Sequence, residues 1–158
     1  MSDNKLFNRY DCVYCGWPCD SRDHVVPRCM DYDQGKNAPT NMNNTIPSCR
    51  ECNSLLGSQF FLTIGDRACY LNDRYKSRYG KLLLMPVWEK NEIEEEEGRL
   101  KQYIKSSIEQ KESVNTRIKH IQMVMDLCPT IREVWSIINE EDEAIEGNAS
   151  EERGFIYK

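Results

Sequence analysis

At 158 residues the chain can bury one modest core with a helical appendage, and its 30% charged and 39% hydrophobic content is that of a soluble, globular protein. No run approaches the roughly 20 apolar residues that span a bilayer, and Met1 to Phe7 lack the apolar core of a secretory signal; no membrane partner is expected, and a cytoplasmic setting is. The formal net charge of −5 is unevenly spread: residues 1–86 hold 11 Lys/Arg against 9 Asp/Glu, residues 87–158 hold 10 against 17. A basic nucleic-acid face on the first half is therefore not excluded.

In chain order, the first feature is Cys12-x-x-Cys15, answered by Cys49-x-x-Cys52. Two such pairs a few tens of residues apart, with nothing pointing to export, favour one tetrahedral zinc over disulfides. Cys19 is close enough to Cys15 to compete as a ligand; otherwise Cys19, Cys29, Cys69 and Cys128 read as buried free thiols. Between the pairs lies Asp23-His24-Val25-Val26-Pro27, an acid and a histidine that a purely structural zinc ribbon does not need. Asp66 is placed to cap a helix running to about Tyr79, with Gly80 as its stop. Lys81 to Met85 is a short apolar run, a strand or a buried connector, and Pro86-Val87-Trp88 marks the expected boundary between two domains, 1–86 and 87–146.

From Glu89 to Leu127 the pattern is helical. Ile93, Leu100, Ile104 and Ile108, then Val114, Ile118, Ile121 and Met125, step at helical intervals. Ser113 or Asn115 caps a second helix, or one long helix passes through. Glu94 to Glu97 reads as a solvated face near a helix start, and Pro129 opens a helix with Ile131, Val134, Trp135 and Ile138. The apolar stripe serves as core, as a homodimer contact or as a protein-partner surface. His120 reads as a surface histidine, and residues 147–158 as a flexible tail.

The block from Cys12 through Asp23-His24-x-x-Pro27 to Asn44-Thr45-Ile46-Pro47-Ser48-Cys49-Arg50-Glu51-Cys52-Asn53 resembles the HNH endonucleases of the ββα-metal (His-Me finger) superfamily, over about residues 10–58. The resemblance implies an α+β fold: a ββα-metal finger stabilised by a structural zinc, followed by a mainly α-helical C-terminal region. It implies that Asp23 and His24 lie on the first strand, that Asn44 on the second holds the histidine strand in place, and that Cys49 and Cys52 begin the helix. Asn41 and Asn43 compete with Asn44, whose five-residue lead over Cys49 selects it. The last motif position, often histidine in the family, is Asn53 here, an H-N-N variant that points to a hard metal. The small size and free-standing motif resemble phage or mobile-element members.

The residue chemistry agrees. Phosphodiester hydrolysis needs an activated water and neutralised phosphoryl oxygens. His24 is the candidate general base, while Asp23 and Asn53 offer hard oxygens for Mg²⁺ or Mn²⁺. Arg22, Arg28 and Arg50, with the basic stretch Arg67, Arg74, Lys76, Arg78 and Lys81, are candidates for phosphate contact; a solvated helix face with buried tyrosines is the rival reading. The expectation is a metal-dependent DNA endonuclease or nickase leaving a 5′-phosphate and a 3′-hydroxyl. The alternatives are a branched-DNA resolvase, RNA cleavage, a catalytically silent zinc-stabilised binding module, or a nuclease whose acidic helices bind a further protein.

Overall fold

The computed structural model describes residues 6–25, 45–61 and 63–140. Two short strands, β1 (Ser21–His24) and β2 (Thr45–Ser48), pair antiparallel with Asp23 opposite Ile46 and His24 opposite Thr45. They are followed by α1 (Arg50–Leu56), α2 (Ile64–Arg78), the short α3 (Gly80–Leu83), α4 (Lys90–Glu95), α5 (Gly98–Leu127) and a helix α6 at residues 131–140. The fold is α+β, a small ββα unit within a mostly helical chain. No described helix is long and apolar enough to cross a membrane.

Local chemistry sets the helix ends. Cys49 sits in extended backbone before α1, and its sulfur accepts from the Cys52 N–H; Gly57, at φ 55°, ends that helix where a side chain would be strained. The cap of α2 is Thr63, whose hydroxyl accepts from Asp66 N, so the helix starts earlier than the expected Asp66 cap. Gly80 does not stop the helical path but opens α3, and the 81–85 run is therefore a helical turn rather than a strand. Gly98, at φ 63°, turns the chain between α4 and α5. α5 then runs unbroken past Ser113 and Asn115. A reciprocal Thr130–Glu133 capping box begins α6, placing Pro129 just ahead of the cap rather than inside the first turn.

The second part of the apolar stripe of α5, from Val114 onward, is core, whereas Leu100 is exposed. α5 lies along α2, and Ala68, Leu71 and Tyr75 join Val114, Ile118, Ile121 and Val124 in one buried cluster that also holds Phe7, Val13, Ile46 and Ile138. That cluster is continuous across Pro86. Where α2 begins, Gly65 comes so close to α5's end that a Cβ there would lie 2.5 Å from Cys128 Sγ. Two expectations need correcting. Cys69 and Cys128 are exposed and Cys19 is half-buried. His120 is no surface histidine: it packs on Gly16, a ring nitrogen lies 3.2 Å from Val13 O, and burial lowers its pKa.

Candidate metal centre and hairpin face

Cys12, Cys15, Cys49 and Cys52 come together as the sequence spacing predicts. All four are buried, and their sulfurs lie within 4.8 Å of one another. The Cys15–Cys49 separation of 3.7 Å is close to the roughly 3.8 Å edge of a tetrahedron with zinc–sulfur bonds of about 2.3 Å. The first pair sits on a tight knuckle, closed by Gly16 N–H to Cys12 O and Cys12 N–H to Trp17 O; the second is presented by the cap and first turn of α1. Cys19 is outside the group and donates its thiol proton to Ser21 O. The donor set and geometry are compatible with a structural zinc.

A four-thiolate centre around a divalent ion is net negative, and the chain supplies a buried cation to it. Arg117, from the middle of α5, directs Nη2 at Cys15 Sγ (3.6 Å), Cys49 Sγ (3.8 Å) and the Tyr75 hydroxyl, and Nη1 at Glu51 (2.8 Å). Its guanidinium also lies over the rings of Trp17 and Tyr75. Without metal, hydrogen bonding from the Cys12 thiol pulls Cys15 down to about 7, and bonds from its three cysteine neighbours pull Cys49 lower still. Tyr75 hydrogen-bonds Cys52 Sγ at 3.2 Å, and burial holds its phenol protonated.

The knuckle and α1 clasp the hairpin, and strand alternation sorts its side chains. Asp23 points inward and is 2% exposed, while Arg22 and His24, on either side of it, are not buried. Asn53, one residue past the last cysteine on α1, reaches back so that its amide nitrogen lies 3.4 Å from Arg22 O. A four-cysteine clamp around a histidine-bearing hairpin and a following helix is now complete. Residues 12–59 match the HNH endonuclease family model. The match covers about a third of the chain and supports a nuclease or DNA-binding function in general terms. No curated protein and no solved structure matches the chain.

Within the matched segment, Asp23, expected as a metal ligand, is buried in an ion pair. Its two oxygens accept from Arg67 Nη2 at 2.7 Å each, and Oδ2 also accepts from Arg67 Nε (3.0 Å) and the Tyr14 hydroxyl (2.5 Å). Arg67 is 1% exposed and also donates to the Val25 carbonyl. Burial, then the Asp23 charge, push the Tyr14 phenol well up, so it stays a donor. Asp23 is thus the anchor that ties β1 to α2.

The expected phosphate-binding residues separate accordingly. Arg67 is withdrawn into that ion pair, which corrects its placement on the substrate surface. Arg78 bonds Glu51, Arg50 pairs with Asp20, and Arg74 lies over Tyr70; Arg74, Lys76, Arg78 and Lys81 are exposed, on α2 and α3. Tyr75 is buried and Tyr79 partly so, donating to Glu51. The helix-face reading fits α2 better than a basic substrate track. Arg22 lies over the Trp135 ring at 5.7 Å. Arg28 and Asn44 fall outside the described residues. Sequence reasoning missed Tyr14, Arg117 and Trp135. For Arg117 the signal was present, a charged residue in phase with Val114, Ile118 and Ile121 on the apolar stripe.

Proposed function

We propose that this chain is a metal-dependent DNA endonuclease or nickase whose reaction takes place on the outer face of β1. The observation that carries this reading is the contact of Asn53 with Arg22 O, which sets the helix residue beside the strand bearing His24. In the reaction, His24 takes a proton from a water molecule as its oxygen bonds to phosphorus. The bond from phosphorus to the 3′-oxygen breaks, that oxygen gains a proton from solvent, and a 5′-phosphate and 3′-hydroxyl remain. The hard amide oxygen of Asn53 suits a Mg²⁺-type ion, which when bound would stabilise the phosphoryl charge. Asp23 joins such an ion only if Arg67 gives way. Its first task is to hold β1 so that His24 faces outward. The four cysteines hold zinc, which keeps the scaffold together.

A silent zinc-stabilised binding module is the second reading, favoured by one observation: the Asp23 carboxylate already serves Arg67 and Tyr14. Nicking of supercoiled plasmid by wild type and His24→Ala, in Mg²⁺, Mn²⁺ or EDTA, separates the two. The nuclease predicts divalent-dependent nicking that His24→Ala slows by about 10²–10⁴-fold with folding and metal content unchanged. Equal nicking by the variant refutes the assignment of His24. Binding without turnover in any divalent ion establishes the module.

A further inference from the structure

Beside the outer face of β1 lies a cavity of about 790 Å³, walled on one side by Arg9, Arg22 and Val25 and on the other by the α5–α6 junction and α6. Three arginines, Arg9, Arg22 and Arg132, line it, and none of its described lining residues is acidic. Thr63 and Asn139 add hydrogen-bonding groups. This basic concavity sits in a molecule with a net charge of −5 and forms against the second half of the chain, where acidic residues predominate. A chance cluster on such a surface would be expected to carry carboxylates.

The cavity is held in register with the hairpin. Trp135 donates its indole N–H to Thr45 O at 2.9 Å, and Thr45 is the residue paired with His24. On the same side, Arg22 lies over the Trp135 ring. One aromatic side chain thus fixes the cavity wall to the β2 end opposite His24 and orients a strand arginine along it. Arg132, three residues before Trp135 on α6, is exposed on the same lining.

We infer that this cavity is a backbone-binding track for the nucleic-acid strand flanking the scissile bond, with Arg22 and Arg132 taking successive phosphates. Arg–phosphate contacts are charge-assisted and can be bidentate, and an acid-free concavity of this size matches the volumes of small-ligand clefts. α6, outside the HNH match, thereby becomes part of the substrate site. The inference rests on the nuclease reading only for the identity of its ligand as DNA.

The test is equilibrium binding in EDTA of fluorescein-labelled DNA oligonucleotides, single-stranded and duplex, across a salt series. Turnover is absent, so the result is independent of catalysis. Arg132→Ala should weaken binding of at least one form by roughly 3- to 10-fold and reduce the slope of log K against log salt by about one. Arg132→Lys should restore most of the slope, while Lys105→Ala, an equal charge change on exposed α5, should leave both values unchanged. An Arg132→Ala protein that binds both forms with unchanged affinity and slope overturns the track, as does equal weakening by Lys105→Ala. Wild type that binds neither form overturns it as well. Arg132-dependent binding by a protein that nicks nothing keeps the track and sinks the nuclease.

Discussion

Asp23 and Arg67 stand 44 positions apart, yet each is the other's principal partner in the interior. The sequence marks Asp23 as chemical through its neighbour His24, but Arg67 reads as one of several basic residues on a solvated helix. The phase of α2 was available to correct this: Ile64, Arg67, Ala68, Leu71 and Tyr75 share the inward face. What the sequence alone does not reveal is the Tyr14 hydroxyl as third member, because only the fold brings the knuckle to that point. A buried guanidinium left without its carboxylate costs about 3–5 kcal/mol. Asp23→Ala should therefore lower the melting temperature by roughly 10 °C in Mg²⁺-free buffer with the cysteine metal in place. Melting at the wild-type temperature would mean that Asp23 is dispensable to the scaffold, returning it to the role of ion ligand alone.

Between elements, the decisive contact is that of α5 with the cysteine clamp. Helical periodicity found α5 and its apolar stripe, and left open whether that stripe was core or an interface. The cysteine motif found the clamp. Neither signal joined the two, because Arg117 is a long-range contact: 102 positions separate it from Cys15. A donor that faces two thiolates lowers the cost of their negative charge, and groups that hydrogen-bond to metal ligands typically change metal affinity by about 10–100-fold when removed. Arg117→Met keeps much of the length and loses the charge and the hydrogen bonds. Its zinc should be lost to a chromophoric chelator at a competing concentration roughly tenfold lower than wild type needs, with Arg117→Lys in between. Indistinguishable chelator titrations for the three proteins would show that Arg117 only packs against the cluster.

For the molecule as a whole, the ββα unit was legible because its ligand spacings are local and chemically demanding, whereas the joining of its two halves was not. A boundary at Pro86 follows naturally from the change in composition there, from near-balanced charge to an acidic excess. Burial follows a different rule. Val13, Ile46 and Leu71 from the first half and Val114, Ile121 and Ile138 from the second enter one cluster, and Trp135 bonds across to Thr45. The stability of the C-terminal helices is therefore coupled to the clamp through both Arg117 and this shared interior. Metal binding to a site formed only in the folded state adds to folding free energy, so chelation should destabilise both halves together. After zinc removal under reducing conditions, the helix signal in circular dichroism should melt in a single transition shifted to lower temperature, α5 included. Two separated transitions, one insensitive to chelation and large enough to contain the 30 residues of α5, would mean that the helical half folds on its own and merely leans against the clamp.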